Sequence, residues 1–183
     1  MKKKRIGVDV DGVKRDLFSR LVEVYLIYYP NHIVTPIERW TNYKVSKYFP
    51  IGEEIYEFWF KEHPSEIYLR AKAYVGAIEM MYDLRQQGNE VIIVSKQPYK
   101  HLEDLTRTWL NLNNVPNHGI KFTQDKGEFE GDFILEDSPI DLKRIAEARN
   151  TKPICFNQPW NQDWKGKRVK THKEFLDLVR NHA

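Results

Sequence analysis

The chain lacks cysteine pairs and long apolar runs, and these two absences exclude several classes of protein. Cys155 is the single cysteine among 183 residues, so we expect no intrachain disulfide and no zinc-cysteine cluster. No segment approaches the ~18 consecutive apolar residues that a membrane-spanning helix requires. The basic run Lys2–Arg5 is not a signal peptide, because Asp9 and Asp11 interrupt the apolar stretch after it. We therefore expect a cytoplasmic protein that does not associate with a membrane.

The chain also lacks a strong excess of either charge. Its formal net charge is +3, which is too small to predict a nucleic-acid-binding surface. Hydrophobic residues make up 41% and charged residues 30%, a balance typical of one soluble globular domain with or without a modest insertion. Aromatic residues reach 13%, which leaves some for a ligand surface beyond those that pack a core.

Short apolar segments alternate with segments of helical periodicity along most of the chain. The stretch 31–64 is aromatic and broken by prolines, and it predicts short helices and loops. Elsewhere the alternation predicts a three-layer, Rossmann-like α/β fold whose parallel sheet is covered on both faces. The predicted strands are 5–10, 91–94, 119–122, 133–135 and 153–156, and the predicted helices are 16–29, 75–87, 98–112, 138–149 and 173–182.

Polar and acidic residues follow three of the predicted strands. Asp9 and Asp11 end the first, Ser95 ends the second along the chain, and Glu136-Asp137 ends the fourth. Ligands of parallel sheets bind beyond the carboxyl ends of the strands, so these side chains are expected at one edge. Paired carboxylates at a buried strand end indicate a cation site, and Mg²⁺ is the first candidate beside a phosphate. A solvated acidic loop is the alternative.

Four segments together resemble the motifs of the haloacid dehalogenase (HAD) superfamily of phosphotransferases. Asp9-Val-Asp-Gly-Val13 is similar to the first motif, and Ser95, which closes Val91-Ile-Ile-Val-Ser, is similar to the second. Lys126 in Phe122-Thr-Gln-Asp-Lys resembles the third motif, and Glu136-Asp137 resembles the fourth. The four stand in the order of that family and have the expected flanking strands.

The resemblance narrows to the 5′(3′)-deoxyribonucleotidase branch of the superfamily. It rests on Phe122–Lys126, on Gly131–Asp137 and on Phe156-Asn-Gln-Pro-Trp-Asn161. The likeness implies a HAD-like catalytic core formed by 1–16 and 74–183. Residues 17–73 would then form a small helical cap inserted after the first strand.

The resemblance also implies roles for individual residues. Asp9 would be the nucleophile, and Asp11 the general acid and then the general base. Mg²⁺ would be held by Asp9, Asp137, the Asp11 main-chain carbonyl and Glu136 through water. The phosphate would be bound by Ser95, Lys126 and Lys96.

Each of these residues also has a plainer explanation. Ser95 is suited to a strand-end turn, and Asp137-Ser-Pro to a helix N-cap. Lys126 lies among acidic residues and fits a solvated charge cluster, with Lys121 as a rival for its role. Two further acids, Asp132 and Asp141, are expected to be structural.

The substrate implied by the resemblance is a nucleoside monophosphate. Four cap residues are candidates for stacking on its base, although cap packing is an alternative for each: Trp40, Tyr43, Trp59 and Phe60. Sugar phosphates, polynucleotide ends and a non-catalytic phospho-ligand-binding role stay open, as does a homodimer.

Two positions depart from the pattern of that branch. Lys14-Arg15 stands where an apolar and a small residue are usual, and Glu136 stands where a second Asp is typical. The two cations would contact a second phosphate or an acidic partner, or lie on a helix surface.

Overall fold

The computed structural model of the chain describes residues 3–181, in which six strands form one parallel sheet. In chain order the strands are β1 Arg5–Val8, β2 Glu90–Ser95, β3 Gly119–Phe122, β4 Phe133–Glu136, β5 Lys152–Phe156 and β6 Arg168–Val169. Across the sheet their order is β3-β2-β1-β4-β5-β6, and each neighbouring pair is parallel. The predicted α/β sheet is confirmed, and β6 is additional to it.

Five of the helices described in 3–181 lie where the periodicity predicted them, with ends that differ by at most two residues, whereas the two short helices between 55 and 70 were not predicted individually. In chain order the helices are α1 Leu17–Tyr28, α2 Ile55–Glu57, α3 Pro64–Arg70, α4 Ala77–Gln86, α5 Lys100–Leu112, α6 Pro139–Ala148 and α7 His172–Asn181. His182, the expected end of the last helix, lies outside the described residues. Within 3–181 no helix has both the length and the apolar character needed to cross a bilayer.

Side chains alternate between the two faces of the sheet and form two separate apolar layers. Ile6 and Val8 of β1 join a cluster with residues of α4, α5 and α7. On the opposite face, Ile92 and Ile134 pack with Ile145 of α6. Helices therefore cover both faces, which gives the three layers expected from the sequence.

Residues between β1 and α4 build a further apolar cluster of their own, rich in aromatic rings. Short 3₁₀ turns occupy Ile37–Arg39, Val45–Tyr48 and Gly52–Glu54, and a π-helical turn occupies Phe58–Glu62. The expected short helices and loops are therefore confirmed. Trp160, from the loop after β5, also belongs to this cluster and meets the ring of Phe18 edge-on at 4.8 Å. The exact division into core and cap stays a prediction.

The chain leaves and re-enters the core along two adjacent segments. The N–H of Asp16 donates to the carbonyl of Lys72 at 2.8 Å, and the N–H of Tyr74 donates to that of Lys14 at 2.9 Å. These bonds hold both connections of the inserted segment beside the end of β1.

Candidate active site

The loop after β1 carries Asp9 and Asp11 beyond the edge of the sheet. β1 ends at Val8, two residues earlier than predicted, because the chain turns and the N–H of Arg15 donates to the carbonyl of Val10 at 2.8 Å. Asp9 is only 5% exposed, whereas Asp11 remains partly exposed. A charged carboxylate this deeply buried requires a partner.

Lys126 is that partner. It lies in the 3₁₀ turn Lys126–Glu128 after β3, is 2% exposed, and places its Nζ 2.8 Å from Asp9 Oδ1 and 2.5 Å from Glu136 Oε2. Burial alone would lower the pKa of Lys126, but the two carboxylates raise it above its ordinary value. Lys126 is therefore a buried permanent cation and not part of a solvated charge cluster.

Glu136 and Asp137, at the end of β4, complete a group of three buried carboxylates with Asp9. One oxygen from each lies within 4.8 Å of the others. Glu136 Oε1 accepts the backbone N–H groups of Asp137 and Ser138 at 3.1 and 2.9 Å. Asp137 Oδ2 accepts Trp160 Nε1–H at 3.0 Å, while Oδ1 has no hydrogen-bond partner among residues 3–181. An unpaired oxygen in such a group is suited to binding a cation.

The charges of this group are not balanced by the protein alone. Burial raises the pKa of Asp9, and burial together with the Asp9 charge raises that of Glu136 to about 8. Burial and the Glu136 charge raise the pKa of Asp137 well above its usual range. Lys126 is the direct ion-pair partner of Asp9 and Glu136, and among residues 3–181 no ion pair reaches Asp137. A hard divalent cation therefore fits the donor set.

Gly12 is packed directly against this acidic group. Its φ is +75°, and a Cβ at this position would lie 2.2 Å from Asp137 Oδ2. Only a glycine therefore allows the loop after β1 to approach the Asp137 carboxylate this closely.

Asp11 points away from the three carboxylates and is held by other residues. Its Oδ1 lies 2.7 Å from both Nε and Nη2 of Arg15, and its Oδ2 accepts Gln97 Nε2–H at 2.8 Å. Its side chain is therefore not a member of the candidate metal group. Gln97 was not among the residues expected from the sequence, although it follows the Ser95 strand end by only two residues. Arg15 was expected only as a cation that contacts a second phosphate or an acidic partner, or lies on a helix surface.

Ser95 and Lys96 lie beside this network. Ser95 is 1% exposed, and its Oγ accepts a second hydrogen bond from Gln97 Nε2 at 3.1 Å. Lys96 is exposed, with its Nζ 3.4 Å from Asp141 Oδ1. The rival Lys121 instead donates to the carbonyl of Glu128 at 3.0 Å.

The two acids expected to be structural lie at different ends of the sheet. Asp132 accepts the backbone N–H of Arg5 at 2.8 Å, at the start of β1. Asp141 lies in the first turn of α6, where its backbone N–H donates to Ser138 Oγ at 3.3 Å.

Lys14 and Arg15 are both fully buried, which contradicts their expected placement on a helix surface. The reason is that α1 begins only at Leu17, with Asp16 as its N-cap, so the two cations belong to the inward-facing loop. Lys14 Nζ donates to the carbonyl of Val8 at 3.0 Å, and burial lowers its pKa to about 7. Of the expected alternatives, an acidic partner is found for Arg15: it is Asp11, within the same chain.

A cavity of about 710 Å³ opens over Asp9, Asp11 and Lys126. Three of the four aromatic candidates line it: Tyr43, Trp59 and Phe60. Trp40 does not, because it is 1% exposed and stacks on Tyr48 at 4.6 Å inside the aromatic cluster. The sequence did not single out several other lining residues: Phe18, Asn42, Tyr56, Tyr68, Trp160 and Trp164.

The chain is similar to proteins that carry nucleotidase names. A relative from Halalkalibacterium halodurans, which carries a provisional nucleotidase name, is 28% identical over 88% of this chain and 83% of its own. A relative from Chlorobaculum tepidum with a provisional 5′(3′)-deoxyribonucleotidase name is 21% identical over 96% of this chain and 89% of its own.

A crystal structure from Lactobacillus delbrueckii subsp. bulgaricus, with a provisional phosphoglycolate phosphatase name, superposes with a TM-score of 0.69. At 13% identity, over 98% of this chain and 99% of the other, this likeness speaks for the fold alone.

The family model that matches covers residues 3–183, nearly the whole chain. Together with the acidic motifs at the strand ends, this match makes the protein a phosphatase of the HAD superfamily. The chain belongs to the family of 5′ nucleotidase, deoxy (pyrimidine), cytosolic type C proteins.

Proposed function

We propose that the protein is a Mg²⁺-dependent phosphomonoesterase that hydrolyses nucleoside monophosphates through an aspartyl-phosphate on Asp9. The observation that carries the proposal is the group of three buried carboxylates, Asp9, Glu136 and Asp137. The group lies under a cavity, and Lys126 forms ion pairs with two of its members. Such a group is costly to fold and is suited to a cation and a phosphate.

In the first step a carboxylate oxygen of Asp9 attacks phosphorus. The bond between phosphorus and the ester oxygen breaks, and the departing oxygen takes a proton from the carboxyl of Asp11. The products are the free alcohol and an acyl phosphate on Asp9. Asp11 is the suited donor because it is partly exposed and lies two residues from Asp9 at the cavity.

In the second step Asp11, now ionised, removes a proton from a water molecule that attacks the same phosphorus. The bond between phosphorus and Asp9 breaks, which releases inorganic phosphate and restores both carboxyl groups. The Lys126 ammonium stabilises the negative charge on the phosphoryl oxygens in both steps. Ser95 and Lys96, near the same strand end, are the further phosphate ligands in this proposal.

Asp9, Asp137 and Glu136 would hold Mg²⁺, together with the main-chain carbonyl of Asp11. The unpaired Oδ1 of Asp137 and the raised pKa values of the three carboxyls support this assignment. A bound Mg²⁺ would supply positive charge that reduces the repulsion between the Asp9 carboxylate and the phosphate dianion.

The aromatic lining of the cavity supports a nucleoside as the alcohol part of the substrate. Rings such as Tyr43 and Phe60 offer stacking surfaces, which bind any base and are worth ~1–3 kcal/mol per base. The nucleotidase and 5′(3′)-deoxyribonucleotidase names of the two relatives favour nucleotides over sugar phosphates and over polynucleotide ends.

A panel of phosphate esters tests the proposal. Purified protein is assayed with and without Mg²⁺ on nucleoside 5′- and 3′-monophosphates, sugar phosphates, a 3′-phosphorylated oligonucleotide and 4-nitrophenyl phosphate. We expect turnover that depends on Mg²⁺ and is fastest on nucleoside monophosphates. Asp9→Asn should lower kcat by more than about 10³-fold, because an amide is not a nucleophile for this reaction.

Asp132→Asn is the matched control, since Asp132 lies at the opposite end of the sheet. Turnover of no ester would favour a binding-only protein. Full activity of Asp9→Asn would exclude the covalent route, and a preference for sugar phosphates would remove the nucleotidase assignment.

A further inference from the structure

Arg15 is an arginine with no solvent exposure, and each of its three guanidinium nitrogens contacts an acceptor. Nε and Nη2 both lie 2.7 Å from Asp11 Oδ1. Nη2 also donates to Thr106 Oγ1 at 3.0 Å, and Nη1 donates to the carbonyl of Tyr68 at 3.3 Å. The guanidinium plane lies over the rings of Tyr68 and Trp109 at 4.6 and 5.2 Å. This arrangement fixes the guanidinium in one position.

The second oxygen of Asp11 is held from the opposite direction. Gln97 Nε2 donates to Asp11 Oδ2 at 2.8 Å, and the hydroxyl of Tyr68 donates to Gln97 Oε1 at 3.1 Å. Both oxygens of the Asp11 carboxyl therefore have fixed donors. Arg15 lies in the loop after β1, and Gln97 lies in the loop after β2. Thr106 of α5 holds Arg15 by a hydrogen bond, and Tyr68 of α3 holds both Arg15 and Gln97.

Fold stability alone does not explain a buried arginine at this position. Burying a charge costs several kcal/mol before its partners repay it, and an apolar side chain of similar size is often as stable or more so. The partner that Arg15 contacts with two N–H groups is the single partly exposed carboxylate of the network, and that carboxylate lines the cavity.

We propose that Arg15 is a positioning residue that holds the Asp11 carboxyl in the orientation from which it exchanges a proton with the leaving oxygen. The inference rests on the proposed function, in which Asp11 is the general acid. Proton transfer requires alignment within a few tenths of an ångström, and a free carboxyl at a loop would populate several rotamers. Tyr68 and Thr106 act through Arg15, so packing of α3 and α5 also contributes to the alignment.

The leaving group separates this role from a merely structural one. An alkyl ester, such as a nucleoside monophosphate, releases a strongly basic alkoxide that needs the proton of Asp11. 4-Nitrophenyl phosphate releases a stable phenolate and needs little protonation. Loss of alignment at Asp11 should therefore slow the first substrate much more than the second, whereas general damage to the site should slow both equally.

The experiment compares kcat/KM of wild type and Arg15→Met on a nucleoside monophosphate and on 4-nitrophenyl phosphate, with saturating Mg²⁺. We expect Arg15→Met to lower the first value by about 10- to 100-fold and the second by less than about 3-fold. Arg180→Met, which removes an exposed arginine 3.7 Å from Asp177 on α7, is the control and should leave both values unchanged.

Thr106→Val removes one hydrogen bond of Arg15 without removing its charge and serves if Arg15→Met does not fold. Thr106→Val should lower kcat/KM on the nucleoside monophosphate by about threefold and leave the value on 4-nitrophenyl phosphate nearly unchanged. Equal losses on both esters, or no loss, would overturn the role of Arg15 and leave the proposed function intact. Wild-type protein that hydrolyses neither ester would overturn the proposed function and this inference together.

Discussion

At the scale of single residues, Lys14 is the least expected feature of the site. The side chain has no exposure, and its ammonium donates to one carbonyl, that of Val8, at 3.0 Å. Burial lowers the pKa of Lys14 to about 7 in the folded protein, whereas an unfolded lysine titrates near pH ~10.4. Between these two values the unfolded chain holds a proton that the folded protein releases. Folding stability should therefore fall as the pH is lowered from about 10 to 7.

Replacement of Lys14 by Met should remove this penalty. We expect Lys14→Met to raise the free energy of unfolding at pH 7 by about 1–4 kcal/mol, because an apolar side chain of similar length fills the same buried space. The advantage should shrink as the pH rises toward 10, because the release of this proton on folding becomes less costly as the pH rises. Urea unfolding at pH 7.0 and 9.5 measures both effects. Lys143→Met, at an exposed position on α6, is the control. Parallel pH dependence in wild type and Lys14→Met would contradict the assignment.

The sequence predicted those site residues whose position depends on a strand. Asp9, Ser95 and Glu136-Asp137 each follow or end a buried strand, and the shared carboxyl edge of a parallel sheet brings them together. Gln97 was not predicted, and the contact of Arg15 with Asp11 was not singled out among its alternatives, because both side-chain directions depend on the path of a loop and on helices distant in sequence. Local patterns contain no record of such contacts.

At the scale of secondary structure, the length of a strand or helix determines whether the sequence predicts it. Strands and helices with several periodic residues were found within one or two residues of their ends. β6 has only two residues, too few for a period, and is fixed by pairing with β5. α3 begins at Pro64, which the sequence marked only as a break. Its contacts with α5 come from tertiary packing and leave no separate signal in the sequence.

The aromatic segment between β1 and α4 contains two kinds of ring. Trp40 is 1% exposed, stacks on Tyr48 and donates its Nε1–H to the carbonyl of Thr35 at 2.8 Å. Phe60 is partly exposed and lines the cavity. Composition does not separate these kinds, because both use the same residue types at similar spacing.

Alanine substitution should separate them. Trp40→Ala should lower the free energy of unfolding by about 3–5 kcal/mol, since it leaves a large void in the aromatic cluster. Phe60→Ala should cost less than about 1.5 kcal/mol but raise KM for a nucleoside monophosphate about tenfold, which corresponds to the loss of one stacking contact. Urea unfolding and steady-state kinetics measure the two quantities. An unchanged KM for Phe60→Ala would show that this ring only packs against its neighbours.

At the scale of the whole molecule, the group of three carboxylates that supports the proposed function also destabilises the fold. Three buried carboxylates lie together beyond the ends of β1 and β4, and Lys126 forms ion pairs with two of them, Asp9 and Glu136. Their mutual repulsion is present in the folded protein and absent in the unfolded chain, so the metal-free fold is destabilised at its own active site. A divalent cation that binds only the folded state reverses this by mass action.

Removal of one of these charges should therefore have opposite effects with and without metal. In a chelator, Asp137→Asn should melt at a higher temperature than wild type, because the amide keeps the contact with Trp160 and relieves the repulsion. Mg²⁺ at about 100 times its Kd should stabilise wild type by about 2.7 kcal/mol, roughly 5–10 °C in Tm. The same Mg²⁺ concentration should leave Asp137→Asn nearly unchanged. Asp104→Asn, at an exposed position on α5, should respond to Mg²⁺ as wild type does. An equal rise in Tm for Asp137→Asn and wild type would show that Asp137 is not a ligand of Mg²⁺, because the ion would then bind as well without this carboxylate.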